Sequence, residues 1–120
     1  MGQSVKYWGY SSLLRQARWV APYFEGEKVF RGTTLDDLDN YKEGKVYYWP
    51  FFISTSANES IAQKFGPVLF IIEIPYSSPF SALDIRSYSI YPKEEEILFH
   101  PYTCFKVLKK ERNTVTVTVY

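Results

Sequence analysis

Three short stretches place polar or charged residues beside strand-like apolar ones: Phe30-Arg31-Gly32-Thr33, Phe52-Ile53-Ser54-Thr55-Ser56 and Lys93-Glu94-Glu95-Glu96-Ile97-Leu98. Successive side chains of an extended strand leave opposite faces, so Glu94 and Glu96 are expected on one face and Glu95 on the other. Two carboxylates on one face repel each other unless a cation joins them, either a substrate cation or a positive charge that develops during a reaction. Three consecutive glutamates also read as a solvated strand end. Arg31, after Val29 and Phe30, reads as an anion clamp or as a surface side chain laid over apolar neighbours. Ser54 and Ser56, taken singly, read as turn and cap residues.

These stretches need elements to position them. Short apolar and β-branched runs separated by Pro, Gly, Ser and Asn predict strands at Val29 to Gly32, Phe51 to Thr55, Val68 to Ile74, Glu94 to Phe99, Thr103 to Leu108 and Thr114 to Val119. The last alternates Thr and Val, so one face should be buried and the other wet or edge-like. Leu13, Leu14, Ala17, Val20 and Ala21 share a helical stripe that Pro22 stops, predicting an amphipathic helix from Ser11 to Val20. Thr34 can cap a short helix that includes Leu38 and ends before Gly44. Ser56-Ala57-Asn58-Glu59 fits a capping box, with a helix from Ala57 to about Phe65 and a left-handed stop at Gly66.

The bulk properties narrow the field. With 120 residues and 46% hydrophobic content, the chain suits one domain with a true core. Fourteen basic residues against 13 acidic ones give no cationic footprint for nucleic acid or an anionic membrane. One Cys and one His exclude an intrachain disulfide and make a zinc site unexpected. Neither a signal-peptide stretch nor a membrane-spanning apolar run is visible, so a soluble, monomeric domain of unassigned compartment is expected.

Taken together, the order Arg, then Ser-Thr-Ser after a strand, then Glu-x-Glu before Ile-Leu resembles the arginine-serine-glutamate signature of the toxin-like mono-ADP-ribosyltransferases. The likeness extends through Ala62-Gln63-Lys64-Phe65-Gly66 and Ile97-Leu98-Phe99-His100-Pro101 to Phe105-Lys106-Val107, so it covers roughly Val29 to Val107. The stretch before Arg31 is shorter than the helical region of many such proteins, as in a minimal or N-terminally trimmed catalytic domain.

The resemblance implies an α+β fold: a split β-sandwich of two mostly antiparallel sheets around an NAD cleft, with an N-terminal helix and short helices at one end. It implies NAD as co-substrate, no metal, and transfer of ADP-ribose to arginine side chains of a target protein. Arg31 would hold the NAD phosphates, and Gly32 would let the backbone approach the nicotinamide amide. Ser54 would orient the Glu96 carboxylate, which would stabilise the oxocarbenium-like ribose. Phe65 would stack on nicotinamide or fill a core position. Glu94 would orient the acceptor guanidinium and help remove its proton, since Glu at this place accompanies arginine targets. Tyr88 and Tyr91 would either contact the target or fold inward. A large apolar pocket is expected beside Glu96. An NAD glycohydrolase, a catalytically silent module on the same fold and an unrelated β-rich interaction domain are the alternatives.

Overall fold

The computed structural model describes residues 21–34, 38–78, 80–87 and 92–120. The helix expected at Ser11 to Val20 lies outside them, as do Tyr88, Tyr91 and much of the turn after Thr34.

Among the described residues the regular structure comprises eight strands and one short helix: β1 (Lys28–Thr33), β2 (Val46–Tyr48), β3 (Ile53–Ser56), α1 (Glu59–Gln63), β4 (Val68–Glu73), β5 (Ala82–Asp84), β6 (Glu96–Phe99), β7 (Cys104–Glu111) and β8 (Thr114–Val119). Turns of 3-10 helix stand at Leu38–Asn40 and Pro92–Glu94. None of the described helices is long and apolar enough to cross a membrane.

The strands form one sheet in the order β2-β7-β8-β4-β1-β3-β6-β5, so the expectation of two separate sheets is corrected. The sheet nevertheless has a seam. β1 pairs with β4 over six residues but meets β3 only at Phe30↔Ser56. This single contact divides a five-stranded block from the three-stranded block β3-β6-β5. Among the described strands the pairings are antiparallel except that of β4 with β8, which is parallel.

Both blocks feed one core. Val29, Phe70, Ile72, Phe105, Val107, Val115 and Val117 come from the larger block, and Ile53, Ala82, Ile97 and Phe99 from the smaller. Strand alternation produces this: in β8 the valines are buried while the threonines are half-exposed, as the Thr-Val pattern predicts. The other side of β1 and β4, with Phe30, Leu69 and Ile71, is covered by Ala62 and Phe65 of the α1 region.

The capping box is also corrected. Asn58 is the N-cap of α1, its Oδ1 accepting from the Ser60 and Ile61 amides at 2.9 and 3.4 Å, while Ser56 stays in β3. Gly66 has φ 159°, outside the left-handed helical well. Its lack of a side chain serves packing, because a Cβ there would lie 2.4 Å from the Thr33 carbonyl.

Candidate active site

Arg31, Ser54 and Glu96 converge at the seam. Strand alternation directs Arg31 to the side of Val29 and Phe70, where its guanidinium lies 5.9 Å from the Trp49 ring centre. Its Nη1 donates to the Ser54 carbonyl at 2.9 Å. The bond forms just where the β1–β3 ladder has stopped, so the arginine stitches the two blocks together. A guanidinium carries five N–H donors, and this bond uses one of them.

Ser54 also reaches the third residue. On the β3–β6 pair Ser54 faces Leu98 and Ser56 faces Glu96, which makes Ser54 and Glu96 diagonal neighbours on one face. The Ser54 hydroxyl donates to Glu96 Oε2. Glu96 is 1% exposed, so it is held away from bulk water, and its hydrogen-bonded hydroxyl offsets part of the cost of burial. Ser54 thereby touches the arginine with its main chain and the glutamate with its side chain.

Glu94 requires a correction. It ends the 3-10 turn Pro92–Glu94 and does not belong to β6, which starts at Glu96. Glu95 between them has φ 49°, in the left-handed region, so alternation along a continuous strand does not relate Glu94 to Glu96. Each of the two still has a carboxylate oxygen, Oε1, sealed from solvent. Glu95 was expected simply to face the other way; instead it accepts from Asn58 Nδ2 at 3.2 Å.

Gly32 and Phe65 are neighbours. A Cβ on Gly32 would lie 1.8 Å from the Ala62 carbonyl oxygen and 3.5 Å from the Phe65 Cβ, so the glycine permits α1 to seat on β1. Gly32→Ala is therefore expected to destabilise the domain by roughly 1–3 kcal/mol, the range for overpacking, in a denaturant titration. Phe65 is half-buried against Ala62 and Leu69.

Sequence reasoning missed Trp49, which beds the Arg31 guanidinium, and Tyr41, whose hydroxyl accepts from Trp49 Nε1 at 3.1 Å. No local pattern marks either. It also missed Asn58, although an Asn three residues before Ile61 is a recognisable cap. A groove of about 860 Å³ lies elsewhere, lined by Tyr23, Phe24, Glu25, Glu27, Tyr76 and Phe80 among others. Neither Arg31, Ser54 nor Glu96 lines it, so it is not the pocket expected beside Glu96. Near the end of β5, Arg86 donates from Nε and Nη2 to the two Asp84 oxygens at 2.9 and 2.6 Å. These bonds hold the Asp84 carboxyl below its ordinary range. Among the described residues no group of three or more His, Cys, Asp or Glu could hold a metal ion.

A mixed α+β domain whose divided sheet draws a guanidinium and a buried, serine-held carboxylate together has the build of an ADP-ribosyltransferase domain. The chain belongs to the NAD:arginine ADP-ribosyltransferase family, whose model matches residues 12–120. It is 37% identical over 102 residues, 81% of its length, to Mav of Mycobacterium avium, assigned by name to the NAD(+)-arginine ADP-ribosyltransferases. It is 35% identical over 94 residues, 76% of its length, to secreted exoenzyme S of Pseudomonas aeruginosa. Among solved structures it resembles the Vis toxin of Vibrio splendidus in complex with agmatine, at 28% identity and a TM-score of 0.65 over 99% of the chain. The chain spans 12% of Mav, 19% of exoenzyme S and 62% of that Vis chain.

Proposed function

We propose that this chain is the catalytic domain of an NAD-dependent mono-ADP-ribosyltransferase that transfers ADP-ribose to arginine side chains of a protein target and releases nicotinamide. The observation that carries the reading is the double engagement of Ser54, with Arg31 on its carbonyl and Glu96 on its hydroxyl. The donor set suits NAD: a guanidinium for the phosphates and a carboxylate for the ribose, in a fold that parts along one seam. Family membership and the agmatine bound by Vis, a guanidinium compound, support arginine as the acceptor.

NAD supplies the glycosidic bond that breaks between ribose and nicotinamide. In this reading Arg31 holds the pyrophosphate or an adjacent phosphate through bidentate, charge-assisted hydrogen bonds. Ser54 fixes the rotamer of Glu96. The Glu96 carboxylate accepts from a ribose hydroxyl and stabilises the positive charge that grows on the sugar. Glu94 accepts from the incoming guanidinium, aims its nitrogen at the anomeric carbon, and takes up the proton lost as the new C–N bond forms. Gly32 and Phe65 border the nicotinamide side, and Tyr88 and Tyr91 meet the target protein.

Incubation with NAD and agmatine tests this directly. Wild type is expected to yield nicotinamide and ADP-ribosyl-agmatine in step. Glu94→Gln should retain nicotinamide release yet lose about 10²-fold in adduct, the lower range for removing a general base. Release without adduct in wild type would favour a glycohydrolase or a strict need for a protein target; absence of NAD binding would sink the reading.

A further inference from the structure

The turn that carries the three glutamates is gripped by the corner leading from β3 into α1. Ser56 Oγ donates to the Glu94 carbonyl at 2.7 Å and accepts from the Asn58 amide at 3.0 Å. The Ala57 amide donates to the Glu95 carbonyl at 3.0 Å. Asn58 Nδ2 donates to the Glu95 carboxylate at 3.2 Å, while Oδ1 of the same side chain caps α1. One amide group thus joins the start of the helix to the middle glutamate.

This grip supplies what the sheet does not. The β3–β6 ladder begins at Ser56↔Glu96, so strand pairing fixes Glu96 but leaves Glu94 outside it. Between the two, Glu95 is a non-glycine residue at φ 49°, a conformation that persists only when its surroundings hold it. The bonds to the Glu94 and Glu95 carbonyls orient the peptide planes on either side of Glu95, and Asn58 holds the Glu95 side chain. A change at Asn58 is therefore transmitted to the direction in which Glu94 leaves the chain, while Glu96 remains anchored by its ladder and by Ser54.

We propose that Asn58, acting through Glu95, is a positioning residue that sets Glu94 relative to Glu96 and so governs how the activated ribose divides between an arginine acceptor and water. This rests on the reading above, in which Glu94 serves the acceptor. In the transfer branch the ribose–nicotinamide bond breaks, a guanidinium nitrogen bonds to the anomeric carbon, and the displaced proton goes to Glu94. In the hydrolytic branch the same bond breaks, a water oxygen bonds to the anomeric carbon, and the proton it loses goes to bulk solvent. Only the first branch depends on where Glu94 points.

The experiment measures ADP-ribosyl-agmatine, free ADP-ribose and total nicotinamide, alongside thermal melts, for wild type, Asn58→Asp, Glu95→Gln and the double variant. Asn58→Asp keeps the oxygen that caps α1 but turns the donor facing Glu95 into a second carboxylate. It is expected to lower the ratio of adduct to ADP-ribose about 10-fold, a modest misplacement of a reacting group, with the KM for NAD and the melting temperature held. Glu95→Gln still accepts from Asn58 and should keep the ratio. In the double variant the new amide at 95 donates to the new carboxylate at 58, the same bond reversed, and most of the ratio should return.

An unchanged ratio in Asn58→Asp, or no recovery in the double variant, overturns the proposal, as does a fall that merely tracks nicotinamide release and melting temperature. If Asn58→Asp does not fold, Glu95→Ala, which spares the cap, must show the same fall or the proposal fails. A wild type that releases no nicotinamide overturns the transferase reading itself, and this proposal with it.

Discussion

Glu96→Gln is expected to lower nicotinamide release by about 10²–10³-fold while the protein melts at or above the wild-type temperature. The two halves of this expectation come from the same geometry. Glu96 is buried, on the β3–β6 face it shares with Ser54, whose hydroxyl donates to it. A glutamine carbonyl accepts that hydrogen bond equally well, so shape and partner are kept and only the negative charge goes. Burying a charge costs free energy that a neutral amide does not, so stability is unchanged or gains. On the proposed reading catalysis loses the carboxylate that stabilises a positive ribose, and preorganised electrostatic stabilisation of this kind is commonly the largest single contribution to a rate. Steady-state nicotinamide release together with a thermal melt decides the matter. A variant that keeps more than roughly a tenth of the rate would remove Glu96 from the chemistry; one that melts well below wild type would make it a structural residue whose loss of activity is secondary.

How much of this was legible in the sequence depends on what determined each feature. Several strands were readable from their apolar and β-branched runs: β1, β4 and β8 fall within a residue or so of the expected spans, and in β8, where Thr and Val alternate strictly, Val115, Val117 and Val119 are buried as the pattern requires. β2 and β5 were not. Each has three residues with no alternating signature of note, and each is a strand because a longer neighbour, β7 or β6, offers hydrogen-bonding partners. The candidate site residues were legible as a list, and their geometry only in part. Arg31, Ser54 and Glu96 meet because three strands pair in a definite register, which a string does not display. Glu94 defeated the strand rule because one residue, Glu95, takes a positive φ, and a single such residue resets every direction before it. Ser56 and Asn58 competed for the helix cap, and tertiary demand decided: Ser56 is committed to the Glu94 carbonyl, which leaves Asn58 to begin α1.

Phe105→Ala should destabilise the fold by about 3–5 kcal/mol, the cost of truncating a buried phenylalanine. Phe105 is fully buried on β7, with its ring edge-on to Phe99 of β6 at 5.3 Å and tilted against Trp49 at 5.4 Å. Phe99 lies in the small block and Phe105 in the large one, so this contact closes the core across the seam at which β1 and β3 pair through Phe30↔Ser56. The truncation removes the ring that fills the space between the two blocks, and the cost rises with the cavity that remains. A domain of this size has about 5–15 kcal/mol in total, so the loss is a large share of it. It also loosens Trp49, which packs edge-on against Phe70 at 5.5 Å and beds the Arg31 guanidinium, so NAD binding should weaken even in the fraction that remains folded. Phe105→Leu conserves most of the volume and should cost under about 1.5 kcal/mol. Phe80→Ala, at a ring 71% exposed, serves as the surface control and should fall within about 0.5 kcal/mol of wild type. Urea titrations of the three variants rank them. If Phe105→Ala costs no more than Phe80→Ala, the two blocks do not share this core, and they must be held by Arg31 and by backbone contacts such as Phe30↔Ser56 and Tyr23↔Leu83 instead.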